Sequence, residues 1–213
     1  MRCDAHESLA PAEVRGRSLG RHGIARLDGN RAFVVSTGIG WPRSWGITRR
    51  HVLEGFERGL TANRSAEPRD RLRFAMGAAR QALVDLCDAL VERDVPDAGL
   101  VALVIGAGAA HVATVGDGRV YLHRRGSPQR LTPRDQPAEG LVDGEVVLTE
   151  AVLDPEDLLL MGSASAFSEA AINRVGGVLQ SDPHAPPAAL ANLLTEPARR
   201  AGVGAAAVAI RVG

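Results

Sequence analysis

Lysine is absent from this 213-residue chain, and all 25 of its basic residues are arginine. That usage is consistent with a GC-rich genome and carries no functional information. Acidic residues also number 25, so the formal net charge is zero. No overall field draws the chain to nucleic acid or to a membrane surface. The pairs Arg49–Arg50 and Arg199–Arg200 read as solvated faces. Cysteine is limited to Cys3 and Cys87, which excludes a disulfide framework and fits a reducing cytoplasm. No apolar run approaches the ~20 residues of a membrane span. The first 17 residues, MRCDAHESLAPAEVRGR, are charged and interrupted by Pro11, so they contain no signal-peptide core. Aromatic residues make up 3%, which makes Trp41 and Trp45, either side of Pro42, conspicuous.

What remains is an ordinary globular composition, with 45% apolar residues, long enough for a single domain with a sizeable core. Residues 1–18 show no clear period and are expected to be flexible or to form an edge strand, leaving one domain over 19–213. RAFVVS at 31–36 reads as a buried strand. Residues 47–59 and 69–93 carry helical patterns. In the second, Leu72, Ala75, Ala79, Leu83, Leu86 and Leu90 form one stripe. Ser65 or Asp70 is a candidate cap for it, with Pro68 in its first turn. From residue 99 the pattern changes to strands, at 100–105, 111–115 and 119–123. Gly106–Gly108 and Gly116–Gly118 suit hairpin turns between them. Two more strands follow at 145–149 and 157–161. A helix over 166–180 is expected to stop at Gly176–Gly177, a second helix spans 188–201, and AAAVAIRV closes the chain as a strand. Paired helices between runs of strands suggest two packed sheets with helices outside.

Six segments, in order, resemble the PP2C (PPM) family of Ser/Thr protein phosphatases. Gly23-Ile24-Ala25-Arg26 resembles the family's early GxxR. FVVSTGIGW at 33–41 resembles FVVADGMGG, and VGDGRVYL at 115–122 resembles VGDSRAYL. RLTPRDQ at 130–136 resembles LTxDH, DLLLMGSAS at 157–165 resembles DLLLCSDGL, and GVGAAAVAIRV at 202–212 resembles GSxDNITVIVV. The resemblance covers roughly residues 20–212. It implies an α+β fold, a four-layer α-β-β-α sandwich of two antiparallel sheets flanked by helix pairs. It also retains a scaffold motif at Gly116, Asp117, Gly118 and Arg119, where Asp117 is structural rather than catalytic.

The departures fall on the chemistry. Where the resemblance places metal-binding carboxylates, the chain has Thr37, Ala164 and the pair Gly204–Ala205. Asp28 is the one acid near the first expected carboxylate motif. Two divalent ions that activate a water need oxygen ligands, chiefly carboxylates, so neither metal, cofactor nor catalytic residue of that type is expected. The segment from Gln136 to Leu158 is shorter than in the family, leaving the former cleft open or filled differently. The expectation is a pseudophosphatase: a cytoplasmic protein-binding module in Ser/Thr phosphorylation signalling. Its partner would be a kinase, a phosphoprotein or a complex component, with no nucleic acid and no membrane involved. Arg26, implied by the resemblance to bind a phosphate, is a candidate phosphate or partner contact. Trp41 and Trp45 either plug the vacated cleft, the preferred reading, or mark an exposed surface. Two alternatives remain: a divergent metal-independent or Ntn-type hydrolase with Thr37 as nucleophile, and a structural subunit of a larger assembly. The six histidines have no zinc-ligand spacing and read as surface or strand-end residues.

Overall fold

The computed structural model describes residues 2–29, 31–90, 95–135 and 137–213. The chain opens with four strands, β1 (Cys3–Val14), β2 (Arg17–Leu19), β3 (His22–Leu27) and β4 (Ala32–Ile39). Two helices follow, α1 (Trp45–Ala62) and α2 (Pro68–Ala89). A run of strands comes next: β5 (Asp97–Gly106), β6 (Ala109–Val115), β7 (Arg119–Arg124), β8 (Ser127–Arg130), β9 (Val147–Val152) and β10 (Leu158–Gly162). A 3-10 turn (Ala164–Phe167), α3 (Glu169–Ser181), α4 (Pro187–Ala201) and β11 (Val203–Val212) complete the chain. The strands form two antiparallel sheets. The first has the order β2-β1-β11-β10-β7-β8 and the second β3-β4-β5-β6-β9.

Three apolar layers hold the sandwich together, and strand alternation feeds each of them. Phe33, Val35, Val101, Leu103, Val208 and Ile210 fill the space between the sheets. Ala32, Val34, Leu100 and Val104 point the other way, to Phe56, Leu72, Met76 and Leu83 of α1 and α2. Ala205, Ala207 and Ala209 of β11 face Leu190, Leu194 and Ala198 of α4. The small side chains on that face of β11 let the helix lie close to the sheet. With both faces covered, β4, β5 and β11 read as continuous apolar runs instead of alternating ones.

The helices on the second sheet meet through glycine. A Cβ on Gly59 would stand 2.8 Å from Ala75 Cα, and one on Gly55 2.7 Å from Ala82 Cβ. Helix α2 is preceded by Glu67 and begins on Pro68, so neither Ser65 nor Asp70 caps it. It ends at Ala89, and the expected continuation over 91–93 lies outside the described residues.

Several expectations are resolved or corrected. Of the two expectations for residues 1–18, flexible or an edge strand, the strand holds: residues 3–14 form β1, paired along β11 and covered by the short β2 only at Ala12–Val14. Its alternation is legible once the partner is known, since Ser8, Ala10 and Ala12 are buried and their neighbours are not. Gly106–Gly108 does turn a hairpin between β5 and β6. Gly116–Gly118 does not, because it carries the chain from the second sheet to the first. Helix α3 runs through Gly176 and Gly177 to Ser181, although each glycine costs about 1 kcal/mol relative to alanine in a helix. Ser168 caps it, accepting a hydrogen bond from the Ala171 amide. Among the described residues, no helix is long and apolar enough to cross a membrane.

Candidate functional site

The positions where the metal carboxylates were expected lie in β4 (Thr37), at the start of the 3-10 turn after β10 (Ala164) and at the start of β11 (Gly204–Ala205). Thr37 lies in β4 and pairs in register with His22 of β3. Both side chains are buried, and His22 Nδ1 lies 3.1 Å from Thr37 Oγ1. His22 Nε2 has no hydrogen-bond partner of good geometry. Burial, and then the Arg21 charge, lower the His22 pKa to about 4, while the nearby Gly204 backbone opposes the shift. The ring is therefore neutral at ordinary pH. Gly204 has a left-handed backbone (φ +72), and a Cβ there would stand 2.9 Å from the Ala12 amide nitrogen. Neither a carboxylate nor any other side chain fits at that residue without moving β1.

Arginine and tryptophan side chains hold the backbone beside His22 and Thr37. Arg21 donates from Nε to the Gly38 carbonyl at 3.3 Å. Its guanidinium lies 5.4 Å from the centre of the Trp45 ring, within cation–π range. Trp45 is buried, donates to the Gly40 carbonyl at 3.2 Å, and packs so closely on Gly38 that a Cβ there would be 2.6 Å from its ring. Arg49 of α1 crosses over Gly20 and Gly23 and donates to the His22 carbonyl at 3.1 Å. Trp41 differs from its neighbour, with 59% of its surface exposed. Trp45 is packed on the helix side of β4, the face opposite Thr37, and Trp41 stands in solvent.

Ala164 begins the 3-10 turn after β10. The Ser163 beside it exchanges hydrogen bonds with Ala206, through its backbone amide at 2.9 Å and its hydroxyl at 3.1 Å. Ser163 Oγ also lies 2.9 Å from Ser165 Oγ. These hydroxyls tie β10 to β11 and are committed to that task. Ala205 is fully buried toward α4.

Arg26 is not part of this group. It pairs with Phe33 in register, four residues along β3 from His22, or about 13 Å at strand spacing. Its guanidinium binds Glu7 at 2.7 Å and the Ala5 carbonyl at 2.8 Å, tying β3 to β1. Asp28 belongs to the same far end, where its carboxylate accepts from Arg71 at 2.9 Å. The glycine-rich scaffold motif works as the crossover between sheets. Gly116 is left-handed, a Cβ on Gly118 would stand 2.7 Å from Val101 Cβ, and Arg119 donates to the Phe167 carbonyl at 3.2 Å. Asp117 points outward and is exposed. Thr37 lies inside the unbroken ladder of β4, paired to both β3 and β5. Scission before it, which an Ntn-type mechanism requires, would cut a central strand. Two histidines differ from the surface or strand-end expectation in burial: His22, though first in β3, and His111 in mid-strand β6 are both buried. His22 was the residue most easily missed, because only strand register shows that it faces Thr37.

The sequence matches no family model and no curated protein. Solved structures are another matter. The Mycobacterium tuberculosis serine/threonine phosphatase PstP/Ppp superposes with a TM-score of 0.82 at 16% identity, over 99% of this chain and 98% of that one. The catalytic domain of PstP in complex with two manganese ions gives 0.83 at 17% identity, over 99% of both chains. PppA, a key regulatory component of T6SS in Pseudomonas aeruginosa, gives 0.76 at 17% identity, over 100% of this chain and 99% of that one. This chain has the PP2C phosphatase fold.

The PP2C fold implies a two-metal centre, and the residues at these positions do not fit one. Hard divalent cations need several oxygen ligands with negative charge. The side chains here are one hydroxyl that already faces an imidazole, a methyl group, and a glycine–alanine pair. Among the described residues, no three His, Cys, Asp or Glu side chains gather where they could hold an ion.

Proposed function

We propose that this chain is a catalytically inactive PP2C-like protein that acts by binding another protein. One observation carries the reading: a neutral His22–Thr37 pair stands where a metal-binding carboxylate was expected, while the scaffold around it is complete from β1 to β11. A PP2C-type reaction depends on metal ions that lower the pKa of a water and hold the phosphoryl oxygens. An uncharged imidazole between tightly packed strands supplies neither the negative charge nor the room.

A role in Ser/Thr phosphorylation signalling follows from the company the fold keeps, which includes Ser/Thr phosphatases and a secretion-system regulator. The partner would be a kinase, a phosphoprotein or a component of a larger complex. Trp41, exposed just after β4, is the side chain best suited to anchor such a contact, since tryptophan contributes strongly at interface centres. The deciding experiment is calorimetric titration with Mn²⁺, run beside turnover of para-nitrophenyl phosphate with and without chelator. No saturable binding and no metal-dependent turnover are expected. Two bound ions, with turnover lost on chelation, would overturn the reading. A partner captured by the wild-type chain should be lost with Trp41→Ala, and equal capture by both would remove Trp41 from the binding surface.

A further inference from the structure

We propose that the cleft between the outer face of the first sheet and α3 binds a small neutral amphiphile, with an apolar body about the size of two fused rings and one hydrogen-bonding end. The inference does not rest on the state of the metal positions, since none of Thr37, Ala164, Gly204 and Ala205 lines the cleft.

The cleft arises from how α3 is seated. Helix α4 packs along β1 and β11, whereas α3 rests chiefly on α4 and the 3-10 turn. Over β7 and β10 a gap of about 270 Å³ remains, floored by Leu160 and Phe167 and walled by α3 at Gly176. Phe167 and Tyr121 stack with ring centres 5.0 Å apart and make one side rigid. Nothing stands within 4 Å of where a Cβ on Gly176 or Gly177 would be. Two glycines in mid-helix are unfavourable for the helix itself, and neither is required by close packing. At Gly176 the missing side chain is what keeps the gap open.

Size and polarity set the chemistry of the occupant. A dry cavity of about 150 Å³ holds benzene, and drug-sized ligands occupy roughly 300 Å³ or more. The volume here lies between those limits, too small for a dinucleotide or a folded peptide segment and ample for a two-ring or medium-chain molecule. Three polar groups line the cleft, the Tyr121 hydroxyl, the His123 imidazole and the Gln180 amide. None makes a side-chain hydrogen bond to another described residue. Tyr121 and His123 share one face of β7, two residues apart, and Gln180 stands across from them on α3. Burial, and then the Arg211 charge, lower the His123 pKa, so the cleft carries no formal charge at neutral pH. An apolar wall with a few uncommitted, uncharged hydrogen-bonding groups suits a phenol or alcohol better than an acid or an amine.

The test uses 2-naphthol as the probe, titrated calorimetrically into the full chain, with naphthalene-2-sulfonate as the charged comparator. Saturable one-site binding of 2-naphthol is expected, with the sulfonate weaker. Gly176→Leu places a side chain in the gap and should weaken 2-naphthol by at least about tenfold. Tyr121→Phe should weaken 2-naphthol severalfold while leaving naphthalene unaffected. Should Gly176→Leu not fold cooperatively, ring-proton shifts in the wild-type protein decide. Saturable shifts of Tyr121, His123 and Phe167 uphold the site, and saturable shifts confined to other residues overturn it. Non-saturable uptake, or binding that neither variant changes, also overturns it.

Discussion

Two glycine pairs in this molecule have opposite meanings. Gly55 and Gly59 of α1 lie one turn apart against Ala75, Ala79 and Ala82 of α2, and any added carbon there would meet atoms closer than 3 Å away. Gly176 and Gly177 of α3 face open space. The first pair lets two helices fuse into one layer over the second sheet. The second leaves the helix layer over the first sheet unfilled. The contrast extends beyond glycine. The region around α1, Thr37 and Trp45 is closed, to the point that an imidazole sits neutral with one nitrogen unpartnered. The region around α3 and β7 is open and holds polar side chains that make no hydrogen bond to another described residue. A glycine in a helix is thus either a demand for contact or the absence of one, and only the neighbouring element says which.

The largest effect expected in the closed region is at the seam. Gly59→Val puts a branched side chain against the α2 backbone and should destabilise the protein by about 3 kcal/mol or more, read from the denaturation midpoint in urea. A small loss would mean that α1 and α2 can part, and that the region is less closed than its distances imply. Next comes acid. The His22 ring, ordinarily near 6.5, is held to about 4 in the fold. Between those values the unfolded chain binds a proton that the folded chain refuses, so stability falls as pH drops through that window, by about 3 kcal/mol. The His22→Asn variant should lose that component of the pH slope, and an unchanged slope would show that the ring is not confined. The smallest effects form a matched pair that tests the comparison directly. Gly55→Ala should destabilise by about 1–2 kcal/mol, because the clash outweighs the gain in helix propensity. Gly177→Ala, the same substitution in the open region, should stabilise by about 1 kcal/mol. Thermal midpoints that move in the same direction would break the distinction.

Much of the layering could be read from the chain alone. The stripe from Leu72 to Leu86 gave α2, and the β-branched runs at 100–105 and 111–115 gave the paired β5 and β6, because one buried face imposes a period that shows in the residue order. β1 could be read only as one of two alternatives, a flexible segment or an edge strand, since its buried residues, Ser8, Ala10 and Ala12, are small or polar and create almost no hydropathy signal. The crossover at Gly116–Gly118 was misread as a hairpin because glycine satisfies a tight turn and a close passage between sheets equally well. The end of α3 was misplaced for a related reason, since Gly176–Gly177 weakens a helix that tertiary contacts and the Ser168 cap still sustain. At the candidate site, the substitutions at Thr37, Ala164 and Gly204–Ala205 stand in the residue order itself. His22 does not, since a histidine fifteen residues before Thr37 becomes its neighbour only through the β3–β4 register. Arg26 is a different case. Its motif pointed to the site, and the same register puts it at the far end, on Glu7.

Periodicity supplied the order of strands and helices, and the resemblance to PP2C motifs implied the sandwich and the metal positions, where the residue order itself shows no acidic group. Which residues surround those positions, which tryptophan is buried, and where a cleft remains depended on strand register and helix seating. Those are set by contacts between segments up to about two hundred residues apart, such as Cys3 against Val212. A local pattern carries no record of a partner that distant, so the buried His22–Thr37 pair and the open cleft beside Gly176 exist only in the packed molecule.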